Sequence, residues 1–205
     1  MEIEFKYKLP SLIVGEQILE QLELTPRLIH MDAQYFDTPE RTLRGQDITL
    51  RLRRESVEGG VSAMICCCKA PGGRSRNPAM KKRAEYECEA PDIHTGINGV
   101  IEKGCTQGEA LRAAESSLIV VAGFRYLRRE AEFHVGNSLC TVCVDKGGFL
   151  RPDGSLEPFC ELEIELVDGK LGPVEKLVKK LVRHYYLEPQ PLSKYARALA
   201  AGKAK

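Results

Sequence analysis

Several segments of this 205-residue chain carry ionic side chains at every second position. EIEFK puts Glu2, Glu4 and Lys6 on one side of an extended backbone, and TLRLRRE does the same for Arg51 and Arg53. RAEYECEA aligns Arg83, Glu85, Glu87 and Glu89, CELEIEL aligns Glu161, Glu163 and Glu165, and Lys69 closes ICCCK in phase with Ile65 and Cys67. Carboxylates in such rows are hard oxygen donors suited to divalent cations. Arginine and lysine rows grip phosphate oxygens, arginine in a bidentate manner. Side by side, the two kinds of row suit the handling of a polyanion together with a divalent metal.

Like charges on neighbouring strand positions repel, so rows this segregated cost stability unless opposite charge lies between them. The elements that must carry them are mostly strands joined by turns. Extended segments are expected at 1–9, 34–38, 47–55, 61–69, 83–90, 123–135, 138–148 and 159–169, with a loop over 70–80. Helices are expected at 11–24 behind Ser11, at 173–186 with Pro173 in its first turn, and at 193–201 behind Ser193. One or two more fall within 91–118. This order reads as α+β with an antiparallel sheet, and eight strands suffice to close a barrel. If the apolar sides pack on helices, the charged sides line the interior. The expected architecture is an eight-stranded closed β-barrel with a charged lumen and helices packed outside.

Composition narrows the partners. Thirty basic residues face 29 acidic ones, so no net field draws nucleic acid or an anionic membrane surface. No apolar run reaches the length of a membrane span, and the acidic first strand is unlike a secretory signal. Cys66, Cys67 and Cys68 are consecutive, and Cys140 and Cys143 lie in another strand, where positions three apart face opposite ways. The eight cysteines therefore read as reduced, buried, hydrophobe-like residues of a cytoplasmic protein. No glycine-rich phosphate cradle occurs, so side chains must hold any phosphate.

The ordered set ExExK, YFDTPERTLRGQDITLRLRRE, Lys69-x-Pro71, R-x-E-x-E and the late E-x-E resembles the CYTH domain of the triphosphate tunnel metalloenzymes over nearly the whole chain. FCELEIELVDG and LSKYARAL are similar to segments of its bacterial inorganic triphosphatases. The resemblance implies metal ligands at Glu2, Glu4, Asp145, Glu163 and Glu165. It implies phosphate contacts at Lys6, Arg51, Arg53, Lys69 and Arg83, with Lys194 reaching in from the final helix, and Glu85 and Glu87 on the acidic wall. Where the family shows K-x-R, GFRYLRREAEF offers Arg125, Arg128 and Arg129, with Leu127 at the lysine position. The shared phase of Arg125 and Arg129 favours that pair.

A single domain over 1–205 follows, stopping before the helical CHAD domain that related triphosphatases often carry, and a homodimer is compatible with the family. The expected activity is hydrolysis of the terminal phosphoanhydride of inorganic triphosphate with Mg2+ or Mn2+, Lys6 holding phosphate and Glu85 or Glu87 activating water. The family's other chemistries, class IV adenylyl cyclase and thiamine triphosphatase among them, use the same tunnel. A non-catalytic polyphosphate-binding module is the remaining alternative, and it would gain nothing from so many acids.

Overall fold

The computed structural model describes residues 2–71 and 77–203, apart from the Glu2 side chain; the middle of the expected 70–80 loop, 72–76, falls outside these residues. The strands are β1 (Glu2–Lys8), β2 (Arg27–Asp37), β3 (Thr49–Val57), β4 (Ser62–Lys69), β5 (Met80–Arg83), β6 (Glu85–Glu89), β7 (Ile119–Val135), β8 (Ser138–Leu150), β9 (Leu156–Asp168) and β10 (Glu188–Pro189). The helices are α1 (Leu12–Gln21), α2 (Thr42–Gly45), α3 (Ile93–Glu102), α4 (Gly108–Ala114), α5 (Leu171–Tyr185) and α6 (Lys194–Ala201).

The ten strands form one curled antiparallel sheet in the order β10-β1-β9-β8-β7-β2-β3-β4-β6, with β5 joined to β1 off this path. The expected closed barrel of eight strands is thus corrected to an open nine-strand path with one strand beside it. The difference arises where one strand was expected over 83–90. β4 stops at Lys69, opposite Glu85, so β6 pairs with β4 only from Glu85 onward. On the other side of Ala84 the chain turns to β1, and Arg83 lies opposite Glu2. β2 is also longer than the expected 34–38, because Ile29, Met31, Ala33 and Tyr35 are all buried on one side of it.

Alternation sends apolar side chains to the convex face, where helices cover them. Phe5, Tyr7, Val142, Val144, Leu162 and Ile164 pack with Ile18 and Leu19 of α1 and Val174, Val178 and Leu181 of α5. Leu50, Leu52, Cys66 and Cys68 pack with Ile93, Ile97 and Val100 of α3 and Leu111 of α4. The consecutive cysteines suit this second contact. A Cβ on Gly96 or Gly99 would collide with Cys66 or Cys88, so α3 lies directly on the thiols. All eight cysteines are free.

α6 departs from the expectation that helices pack outside. Ser193 caps it, accepting from Ala196 N at 3.1 Å. Its Tyr195, Ala198 and Leu199 pack against Ile29, Met31, Ala33, Tyr35 and Phe124, which lie on the concave face. The helix therefore fills one end of the interior. The YFDT segment anchors this arrangement: Tyr35 meets Tyr195 with ring centroids 4.7 Å apart. Asp37, fully buried, accepts from Thr38 N at 2.8 Å, Leu43 N at 2.9 Å and Arg44 N at 3.1 Å, and Tyr195 Oη donates to it at 3.4 Å. Burial, reinforced by Asp37, pushes the Tyr195 hydroxyl up to about 12.

Asp37→Ala strands three backbone donors and is expected to lower unfolding stability by about 3 kcal/mol in chemical denaturation. A loss under roughly 0.5 kcal/mol, the range of ordinary surface changes, would remove Asp37 as the anchor.

Candidate functional site

Successive strands deliver alternate side chains to the concave face, and register decides which of them meet. Lys6 lies opposite Glu163 and Glu4 opposite Glu165 across β1 and β9. Arg51 lies opposite Cys67, Cys67 opposite Glu87 and Lys69 opposite Glu85, and Arg128 opposite Asp145. All of these except Cys67 and Asp145 line a cavity of about 620 Å3. Among the described residues, nine cationic and seven carboxylate side chains line it, so the wall as a whole favours an anion.

At the end nearest α6, charges are tightly paired. Lys6 Nζ lies 2.8 Å from Glu163 and 3.2 Å from Glu4. Arg128 donates to Asp145 at 2.8 and 2.7 Å and to Glu163 at 2.7 Å. Lys194 Nζ lies 2.8 Å from Asp145 and 2.7 Å from Glu163 and also pairs with Glu161, which Arg197 holds from its other side. Burial opposes the Glu163 charge, yet Lys194, Lys6 and Arg128 keep its carboxyl well below the usual range. Burial likewise opposes the Lys6 ammonium, and Glu163 and Glu4 outweigh it and raise the pKa.

On the β3-β4-β6 side lies the basic wall. Arg51 donates to Glu87 at 3.2 Å and stands 3.9 Å from Glu85. Arg53 pairs with Glu55 and lies 3.8 Å from Glu87. Lys69 is 2.9 Å from Glu85, which also accepts from the Cys67 thiol at 2.8 Å. The Nε donors of Arg51 and Arg53 are buried without a hydrogen-bond partner. Donors in that state are costly, and an incoming phosphate oxygen would satisfy them.

Between these regions Glu4 and Glu165 face Lys81 and Arg83 of β5. Burial, then Glu85 and Glu4, push the Glu165 carboxyl from 4.5 up to about 7. Burial and Lys6 lower the Lys81 ammonium. Acids crowded enough to hold a proton near neutrality fit a divalent cation, which would relieve their repulsion. Two other groups have ligand atoms within 4.8 Å of one another, Asp145 with Glu161 and Glu163, and Cys67 with Glu85 and Glu87. Both are already threaded by the protein's own cations, and Glu4 is likewise paired with Lys6.

Glu4, Lys6, Arg51, Arg53, Lys69, Arg83, Glu85, Glu87, Glu163, Glu165 and Lys194 all line the cavity as expected. Arg83 is partly committed to structure, donating to Ala70 O at 3.0 Å and Asp47 O at 2.6 Å. The Glu2 side chain lies outside the described residues. Three placements are corrected. Arg125 is on the convex side, 63% exposed, with Asp32 at 2.9 Å. Arg129 points the same way and lies 3.4 Å from Glu16 of α1. Both share the odd phase of Ala131 and Phe133, which pack on the α1–α5 core, so Arg128 and Glu130 hold the inward positions instead. Asp145 is completely buried behind Arg128 and Lys194 and does not line the cavity. Sequence reading also missed Lys81, which continues the phase of Arg83 and Glu85, and Arg27, which precedes the strand as expected. Among the described residues no histidine lines the cavity.

Comparison with solved structures shows a shared fold. A chain from Hippeastrum, described as a candidate adenylyl cyclase with a dominant triphosphatase activity, is 19% identical at TM-score 0.69, covering 100% of this chain and 98% of that one. A protein from Pyrococcus horikoshii OT3 is 22% identical at TM-score 0.65, covering 98% and 99%. A candidate adenylate cyclase from Vibrio parahaemolyticus is 17% identical at TM-score 0.57, covering 98% of each chain. The CYTH domain model matches residues 1–199, and the chain belongs to the CYTH domain family.

Proposed function

We propose that this chain hydrolyses the terminal phosphoanhydride of inorganic triphosphate in a divalent-metal-dependent reaction. The observation that carries this reading is the pair of buried, unpartnered arginine Nε donors facing a crowded carboxylate group across one cavity. A pure anion binder has no use for the acids, and a pure metal site has no use for the arginines. The triphosphatase activity in the Hippeastrum protein's description supports the same class. Eight free thiols fit a cytoplasmic location.

Arg51, Arg53, Lys69 and Lys6 would hold the phosphate chain extended, and Arg128 would take the place first given to Arg125 and Arg129. Glu4 and Glu165, with Glu163 and Glu2 beside them in register, would hold Mg2+ or Mn2+. Such an ion, when bound, shields charge on phosphate oxygens. Glu87, whose side chain is 40% exposed, is the more open of the two candidate bases, while Glu85 is engaged with Lys69 and Cys67. Water attacks the terminal phosphorus and gives its proton to the carboxylate. The bond to the bridging oxygen breaks, and pyrophosphate leaves against the basic wall. Positioning and charge stabilisation dominate, since a loose transition state leaves little covalent work.

Glu4→Gln is expected to reduce metal-dependent phosphate release from triphosphate by about 100-fold or more with melting preserved; full activity would reject the site. Arg51→Lys keeps the charge but loses the planar fork, and kcat/KM for triphosphate should fall about tenfold, roughly 1.4 kcal/mol. Incubation with ATP separates a cyclase: cyclic AMP with pyrophosphate, in place of orthophosphate, would overturn hydrolysis. The raised Glu165 carboxyl also fixes a sign. Its folded-state pKa of about 7 lies above the ordinary 4.5, so its contribution to stability is complete below 4.5 and lost as pH rises through 7. Metal-free protein should therefore melt higher at about pH 6 than at about pH 8. Glu165→Gln should flatten that difference, and an unchanged difference would exclude Glu165 as its source.

A further inference from the structure

We propose that Lys194 is a tethered counter-cation: its ammonium takes the position a divalent ion would occupy among Asp145, Glu161 and Glu163, so that metal is confined to the Glu4–Glu165 side of the cavity. The second half of this statement rests on the reading of the site given above; the first half does not.

An ammonium has three donors and no acceptor. Lys194 meets three carboxylates, Asp145 at 2.8 Å, Glu163 at 2.7 Å, and Glu161. It hydrogen-bonds Glu163 and forms ion pairs with the other two. The three acids converge as metal ligands do, with ligand atoms within 4.8 Å of one another, and the ammonium contacts all of them. Its surroundings are dry: Asp145 and Glu161 are fully buried, and the ammonium stands 5.3 Å from the Tyr126 ring centroid and 5.9 Å from that of Phe159. A free ion entering here would have to shed its water among aromatic rings. A lysine fixed at the first turn of α6 is already in place when that helix docks.

Tethering has a second effect. Glu163 accepts from Lys194 through one carboxylate oxygen and from Arg128 through the other. Lys194 is therefore a positioning residue: it fixes the Glu163 carboxylate without needing to touch the substrate.

The test counts Mn2+ bound to the whole protein by electron paramagnetic resonance and follows melting in parallel. Lys194→Ala removes the ammonium and its stem, leaving its place among the three carboxylates to an ion, and is expected to bind one more Mn2+ than the wild type. Lys194→Ala with Glu161→Gln should return to the wild-type count. A folded Lys194→Ala protein with an unchanged count overturns the proposal, as does a wild-type count that falls on Glu161→Gln alone. Should Lys194→Ala melt without cooperativity in metal-free buffer, millimolar Mn2+ should restore a cooperative transition, and failure to do so also overturns it. Repeating the count in a Glu4→Gln background separates the two readings. Loss of the wild-type ion there concerns the Glu4–Glu165 site, whereas the ion gained on removing Lys194 should persist.

Discussion

Ionised groups can be buried on the concave side of a sheet only if each finds its opposite, because every unpaired charge taken from water costs several kcal/mol. The register of β1 against β9 places Lys6 opposite Glu163, and that of β7 against β8 places Arg128 opposite Asp145. A one-residue slip in either pair would turn these charges into the convex hydrophobic layer and expose the apolar residues. The ion pairs therefore do more than decorate a finished sheet. Correct strand alignment sends the charges to the cavity and the apolar side chains to the covering helices.

Inverting the usual sheet frees the convex side for two separate helix contacts. α1 and α5 cover the β1-β8-β9 region, and α3 and α4 cover β3-β4-β6. The interior is then divided along its length. Toward α6 it is closed by aromatic rings and tightly paired ions, with Phe149 and Phe159 stacked at 4.6 Å, and away from α6 it is roomier. Rigid strands set the positions of the acids and bases, so reactive geometry does not depend on loops, which suits a site working by charge placement.

Much of this was legible in alternation alone. Glu4, Lys6, Arg51, Arg53, Glu85, Glu87, Glu163 and Glu165 all sit where a period of two puts them, because each strand has one face that must be apolar. The failures are equally physical. In FRYLRREAEF both phases carry arginine, and only the apolar run Ala131, Phe133, Val135 beyond it reveals which side is outward. Asp145 was implied as a ligand by the family resemblance alone; its burial lies behind Lys194 and Arg128, which come from other parts of the chain. The division of 80–89 at Ala84 reflects two different partners, and pairing partners are not written in a local pattern. The inward course of α6 was hidden for the same reason, since an amphipathic helix can lie on either face.

β1 is bracketed by β9 on one edge and by β5 and β10 on the other. One edge of β1 thus waits for β9, far along the sequence, a high-contact-order arrangement that slows folding. Until β9 is made, the edge that it covers is unprotected. Lys6 and Lys8, together with the acids at 2 and 4, make the nascent strand a poor template for pairing with other polypeptides. The same charges that later handle ions would act earlier as a safeguard against aggregation during translation.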